Sequence, residues 1–412
     1  MKLHLRSVLI TVATAGILFS GVANAETYKG SESYLTGDWG GDRTALLNAG
    51  IDVGATYTAD YWNVMDGGIK EGSNVVSNFD AKVDIDGYRL YGLKNNSSRM
   101  RVIYVSGGAP NASRVGSAEG IDNLEAGANT LKLYELWTEQ RFFDEDLSFL
   151  FGMYDVNSDF ANTEMSNNFM KPSMGMMPTL DNSGVNGVSS FPDTGLSARL
   201  KYEYNGIYYA QAALVDGVPG NSKNPRGTHI HLGGDDGYLA IAEFGISPSA
   251  KGESYSANKL AFGYWRYTEE QDDLAYVGKK EPNQGVYVLG SYEFYGDGEG
   301  RSMGAFVKGG MSDEDTHQVD FDVQTGIVGK GFIPMRKQGE FGVGVTQADN
   351  SDDYIKVNPA ADDREYSLNT YYRDEVVPGV SVQPEYQYIK DPGSNKAINS
   401  SSIFGLRVEL NM

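Results

Sequence analysis

Cysteine is absent from this 412-residue chain and histidine is scarce, with four in all. The first absence removes disulfides, thiolate metal ligands and a thiol nucleophile together. Basic residues are in deficit, 34 Lys and Arg against 55 Asp and Glu, for a formal net charge of −21. Proteins that bind nucleic acid meet its phosphates with Lys and Arg, so that class is excluded. Long hydrophobic runs are also missing, and mean hydropathy is −0.39. After the first 25 residues no stretch approaches the roughly 20 apolar residues of a spanning helix. If the chain meets a bilayer, it does so as strands.

Those first 25 residues, MKLHLRSVLITVATAGILFSGVANA, read as a secretory signal peptide. Lys2 and Arg6 precede an apolar core from Val8 to Val22, and Ala23-Asn24-Ala25 gives a small-residue site with cleavage after Ala25. The exported chain, lacking cysteine, relies on its fold alone for stability.

What is abundant is glycine, at 51 residues, and tyrosine, at 27, as suits many turns and an aromatic-rich interface. Alternation recurs along the whole chain. In GLSARLKYEY, Leu196, Ala198, Leu200, Tyr202 and Tyr204 share one face, while Ser197, Arg199, Lys201 and Glu203 share the other. Side chains alternate across a strand, so each such segment has an apolar and a polar side. About sixteen segments qualify: 51–61, 77–88, 98–106, 130–143, 146–155, 194–204, 206–216, 237–247, 257–269, 284–295, 301–311, 319–329, 338–347, 363–373, 379–389 and 401–412. Connections after odd segments tend to be long (62–76, 107–129, 156–193, 217–236, 270–283, 348–362). Those after even segments tend to be short, as at Asp144-Glu145, Asn205-Gly206 and GDGEG at 296–300. A sandwich has no reason to sort its loops to one end. A transmembrane antiparallel β-barrel is built this way, with short periplasmic turns and longer outside loops. The predicted fold is therefore all-β, a barrel over 51–412, preceded by a periplasmic segment at 26–50. Within that segment 39–49 forms a short helix, with Asp38 to cap it and Gly50 to end it.

The barrel assigns the faces. Leu196 and Leu200 meet acyl chains, and Tyr202 and Tyr204 sit near an interface. Arg199, Lys201 and Glu203 face a wet lumen, because a basic residue on the lipid side costs about 2–4 kcal/mol at midplane. On 130–143 one parity set holds Glu135, Trp137, Glu139 and Arg141. Rows of both charge signs orient dipolar solutes, and Trp137 offers a face for a sugar ring. The alternative is that these charges only pair across strands and hydrate the wall. The loop at 156–193 is the longest outside connection and is expected to fold inward and narrow the pore. Its polar residues Asn167, Asn168 and Asp181 are then candidates for hydrogen bonds to solute hydroxyls, with Glu135, Arg141 and Arg199 as the opposite wall. Met165, Met170, Met174, Met176 and Met177 in this loop suit packing better than soft-metal binding. His229 and His231 form an H-x-H pair in a loop, but no further ligand completes a metal pattern. No catalytic set stands out and no cofactor is called for, so the chain is not read as an enzyme.

Several segments resemble the carbohydrate-selective porins of the OprB type. One is the W-G-G-x-R-x-x-L…G-I core at Trp39, Gly40, Gly41, Arg43, Leu46, Gly50 and Ile51. The others are LYELWTEQRFFDEDLSFLFGMYDVNSDFA (133–161) and VSVQPEYQYIKDPGS (380–394). The resemblance implies a sixteen-stranded porin in the outer membrane of a Gram-negative bacterium. Such a porin passes small neutral sugars by diffusion and is surrounded by outer-membrane lipid, with a homotrimer left open. Two departures stand out: Met412 ends the chain where such barrels usually carry an aromatic residue, and the chain is strongly acidic. A general or cation-preferring diffusion porin is the alternative, with a barrel enzyme or adhesin behind it. An anion channel is least supported, since it needs basic rings in the pore.

Overall fold

The computed structural model describes residues 34–412 except 232, 234–235, 249–257 and 299. The leader and residues 26–33 lie outside the described residues. Sixteen antiparallel strands, each paired with its neighbours in sequence, close into one barrel as β1 meets β16. They are β1 (Ile51–Gly68), β2 (Gly72–Asp86), β3 (Asn96–Gly107), β4 (Thr130–Phe142), β5 (Leu147–Tyr154), β6 (Gly195–Tyr204), β7 (Tyr208–Asp216) and β8 (Tyr238–Ile246). The second half comprises β9 (Lys259–Tyr267), β10 (Gln284–Gly296), β11 (Ser302–Ser312), β12 (Val319–Lys330), β13 (Glu340–Asn350), β14 (Arg364–Val377), β15 (Val380–Lys390) and β16 (Asn399–Asn411). Every segment read from alternation holds one of these strands. Closure is completed at the C-terminus, where the Met412 N–H donates to Ala55 O at 2.7 Å and the Ala55 N–H donates back to Met412 O at 3.1 Å. The last residue thus closes the sheet through its backbone without an aromatic side chain.

The first hairpin departs from expectation. The long connection foreseen at 62–76 is mostly strand, and only residues 69–71 turn the chain between β1 and β2. Pairing continues through Trp62↔Asn74 and Val64↔Gly72. Asn63, Asp66 and Gly67-Gly68 look like loop residues in sequence. Trp62 and Val64 are nevertheless buried inside, against Val115, Ile121 and Met170 of two other connections, and that packing extends the hairpin.

A short helix, α1 (Asp42–Asn48), precedes β1. The Asp38 carboxylate does act at its start, accepting from the Thr44 N–H at 2.9 Å and the Thr44 hydroxyl at 2.7 Å, although the helix itself begins only at Asp42. Gly50 turns the chain at φ +89°, and a Cβ there would lie 2.7 Å from the Arg89 side chain. Arg43 is buried between Tyr34 and Trp39, 3.9 and 4.4 Å from their ring centroids, and donates to Gly37 O and Val53 O. The W-G-G-x-R pattern is therefore a structural clasp at the short-turn end.

The outer face is apolar as foreseen, with Leu200, Tyr202 and Tyr204 exposed to the surroundings. The inner face is less uniform. On β7–β10 it carries Ala213, Val215, Leu239, Ile241, Trp265, Tyr267, Tyr287 and Leu289, all buried. Both faces of these strands are apolar because a loop packs on the inner one.

Candidate functional site in the lumen

The loop between β5 and β6, residues 155–194, crosses the lumen and covers the β8–β15 wall. Its backbone is held by wall side chains that reach inward. Glu243 on β8 accepts the Ala161 N–H at 3.0 Å, Asp322 on β12 accepts the Thr179 N–H at 2.8 Å, and Glu385 on β15 accepts the Met170 N–H at 3.0 Å. Lys308 on β11 donates to Met174 O and Gly175 O at 3.0 and 2.6 Å. A loop inside a barrel has lost water as a partner for its backbone, and these side chains replace it. The methionines complete the seal: Met170, Met174, Met176 and Met177 are buried in three apolar clusters against Trp62, Phe306 and Trp265 respectively for the first two and the last pair. Packing accounts for these four thioethers.

A second loop folds in beside it, which sequence reading did not foresee. In residues 108–129 the Ala118 N–H donates to Glu365 at 2.9 Å, and Asp122 accepts the Trp62 indole N–H at 3.0 Å. Glu119 lies 3.4 Å from Lys171 of the first loop. Burial drives the Glu119 carboxyl up from its ordinary range, with Lys171 opposing and Glu365 adding to the rise.

What stays open runs along the β1–β6 wall in two cavities. The inner one, at the short-turn end, has a volume of about 1320 Å³ and is lined by Glu135, Trp137, Glu139, Arg141, Arg199, Lys201 and Glu203 among others. All seven wall residues singled out in the sequence thus share one cavity. The outer one, of about 810 Å³, is lined by residues of both loops and by Asp80, Arg101 and Tyr134. Asn167 and Asp181 line it. Asn168 borders neither cavity: its amide donates to Glu340 at 2.6 Å and its carbonyl accepts from Gln383 at 2.6 Å, so it pins the loop to the far wall. Ser158 borders both cavities and marks their junction.

Cations and carboxylates interleave on this wall. Arg101 clasps Asp80 through Nε at 2.8 and 2.9 Å and lies 3.4 Å from Glu135. Arg99 meets Asp84 at 2.6 Å, and Arg199 bridges Glu139 at 2.8 Å and Asp159 at 3.0 Å. Lys201 meets Glu203 at 2.8 Å, and Arg141 meets Glu139 at 3.2 Å. Trp137 donates its indole N–H to Glu135 at 3.0 Å, and the Arg99 guanidinium stands 5.3 Å from its ring. A bulge sets this geometry. Arg101 pairs with Glu135 but Val102 pairs with Leu133, so Tyr134 and Glu135 both point inward. The bulge adds Tyr134, Lys132 and Thr130 to the inner face, which a single parity from Glu135 did not reach. Bulges re-aim side chains in this manner.

Two loop carboxyls face the passage. Burial pushes Asp155 up to about 6, with Glu135 adding, while the Tyr134 hydroxyl, donating at 2.5 Å, and Arg101 oppose. Burial likewise pushes Asp181 up to about 6 against a Ser190 hydrogen bond and Lys308. Asp159 moves the other way: despite burial, Arg199 and Lys201 hold it below its ordinary range. Away from the lumen, His229 and His231 stack at 5.9 Å, with His229 Nε2 against Arg226 O. Asp273, Asp315 and Asp353 converge from three outside loops, where Lys279 lies 3.1 Å from Asp273 and Lys356 3.6 Å from Asp353.

The profile of the carbohydrate-selective porin, OprB family, matches residues 70–412. Porin B of Pseudomonas aeruginosa is similar to this chain at 24% identity, over 96% of the chain and 97% of that protein. The putative porin QuiX of Acinetobacter baylyi is 19% identical, over 97% and 98%. The high-pH structure of Pseudomonas putida OprB shares the fold with a TM-score of 0.82 at 21% identity, over 92% of this chain and 98% of that one.

Proposed function

The chain belongs to the OprB family of carbohydrate-selective porins and is a Gram-negative outer-membrane channel for passive sugar diffusion; within that frame we propose that sugars travel along the β1–β6 wall. The observation that carries this is the row of cations there, each held by carboxylates, together with Trp137 in one cavity of about 1320 Å³. Guanidinium N–H groups and carboxylate oxygens in fixed pairs offer donors and acceptors in alternation, which suits hydroxyls that need both. Trp137 gives the ring an apolar face to pass over. In this reading loop 156–193 narrows the pore, and Asn167 and Asp181 receive hydroxyls at its outer entrance. Residues 1–25 are removed on export. The homotrimer is tested by native mass in detergent: a mass of three chains supports it and a mass of one removes it.

The test of sugar preference is ion current in planar bilayers with added neutral sugar. Current should fall saturably as sugar occupies the passage, and Trp137→Ala should weaken that apparent affinity about threefold to tenfold, since an aromatic contact is worth about 0.5–1.5 kcal/mol. Current that follows only solution viscosity, in both proteins, would instead support the general, cation-preferring reading. One observation favours that second reading: the outer cavity is lined by Asp80, Glu119, Asp122, Glu125, Asp155, Asp181 and Glu409 against only Arg101 and Arg407.

A further inference from the structure

The two cavities along the β1–β6 wall meet at one turn of the β5–β6 loop. Among the described residues Ser158 alone lines both. On the wall, the change from one cavity to the other falls between Arg99, which lines the inner, and Arg101, which lines the outer. Glu135 ties these arginines into one rung, 3.9 Å from Arg99 and 3.4 Å from Arg101. The neck of the passage is thus bounded by a loop turn on one side and an ion-paired rung on the other.

That turn is clamped. Residues 155–159 read Asp-Val-Asn-Ser-Asp, and Val156–Ser158 form one 3-10 turn. Each flanking carboxylate accepts from a tyrosine hydroxyl of the wall: Tyr134 on β4 donates to Asp155 at 2.5 Å, and Tyr154, the last residue of β5, donates to Asp159. Arg199 lies 3.0 Å from Asp159, and the Val156 N–H donates to Ser189 O at 2.8 Å. Val156 and Phe160 are buried in the apolar cluster beneath. Ser158, half-buried, is left at the edge of the passage.

We propose that Ser158 is the size-selecting residue of the channel: the neck between its side chain and the Arg99–Arg101 rung decides which sugars pass, and Tyr134 and Tyr154 are positioning residues that hold the turn. This rests on the sugar path along the β1–β6 wall. A pore selects by its diameter and by the donors and acceptors that line it. Serine serves both needs. Its short side chain leaves room for a sugar ring, and its hydroxyl donates and accepts, whereas the guanidinium groups of the rung only donate. A turn clamped at both ends does not yield to a larger solute, so the cutoff belongs to the folded wall and not to loop motion.

The absence of cysteine makes the test direct. Ser158→Cys is compared with Ser97→Cys in the inner cavity and Ser190→Cys in the outer one. Flux of glucose and of maltotriose into liposomes is measured before tagging, after methyl methanethiosulfonate has formed the mixed disulfide, and after a reductant has removed it. At position 158 the tag should cut maltotriose flux about tenfold or more and glucose flux less. Reductant should restore both, so each barrel is its own folding control. The same tag at 97 or 190 should cost less than about twofold. Tyr154→Phe should raise maltotriose flux relative to glucose flux, a ratio that mere loss of assembled barrel would leave unmoved; an unchanged ratio would overturn the positioning role. Equal block at all three serine positions, or none at 158, would overturn the size-selecting role. Trp137→Ala separates this from the reading beneath it. Weakened sugar affinity in that variant, with no size effect at 158, overturns the role of Ser158 alone; no effect in either overturns the path as well.

Discussion

At the scale of single residues, inward charges divide into two groups by what they touch. Glu139, Arg199 and Lys201 border the open passage, whereas Glu243, Lys308, Asp322 and Glu385 hold a loop. Glu243 is the extreme case, accepting from Ala161 N, from the Tyr209 and Tyr287 hydroxyls at 2.6 and 2.7 Å, and lying 3.1 Å from Lys259. Replacing it with Leu strands these buried donors, at about 1–3 kcal/mol each. Glu243→Leu should therefore speed proteolytic cleavage within 156–193 severalfold while the barrel still assembles; an unchanged cleavage rate would mean the loop is held elsewhere. The passage carboxyls give a pH effect with a definite sign. Asp155 and Asp181 have raised values near 6, so both are neutral at pH 5 and ionised at pH 7. The ratio of cation to anion permeability should rise across that interval, measured as reversal potential in a salt gradient. Asp155→Asn/Asp181→Asn should flatten the rise.

At the scale of elements, register and the central loop make separate predictions. Leu200 faces outward and Lys201 inward, one residue apart on β6. Leu200→Arg places a charge in lipid at a cost of about 2–4 kcal/mol and should abolish most heat-modifiable barrel. Lys201→Gln should assemble normally. Equal defects would mean the register is shifted by one. Replacing 166–188 with a Gly-Ser linker should raise single-channel conductance and relax discrimination by sugar size. The same variant leaves Trp265, Tyr287 and Leu289 facing water, so its thermal midpoint should also drop. Conductance equal to wild type would place the loop outside the conducting path.

At the scale of the whole molecule, the barrel was legible because lipid imposes alternation on every strand and the biosynthetic asymmetry sorts turns from loops. Closure, strand count and the inward set from Glu135 to Glu203 followed from that alternation. Three features did not. The bulge at Tyr134-Glu135 changes parity within β4, and no residue type announces it. The extended first hairpin depends on Trp62 and Val64 meeting distant loops. The covered wall on β7–β10 left a trace that alternation alone passes over: Leu239, Ile241, Trp265 and Leu289 are apolar at inward positions, so something other than water must lie against them. Asn168 shows the limit for the site itself, since a polar loop residue serves a wall contact or a solute equally well until the backbone is placed.

The passage along one wall, with the other sealed by loops, is tested most directly by exploiting the absence of cysteine. Single cysteines are placed at Arg141, Lys201 and Glu203 on the open wall and at Gln324, Ser367 and Gln387 on the covered one. Each heat-modifiable barrel is treated in liposomes with a membrane-impermeant thiol reagent, and neutral-sugar flux is followed. The open-wall positions should label quickly and lose flux, while the covered positions, each 5% exposed or less, should label slowly and keep it. Rapid labelling and equal loss of flux on both walls would show a central pore with no sealed side, and would contradict the path derived from these contacts.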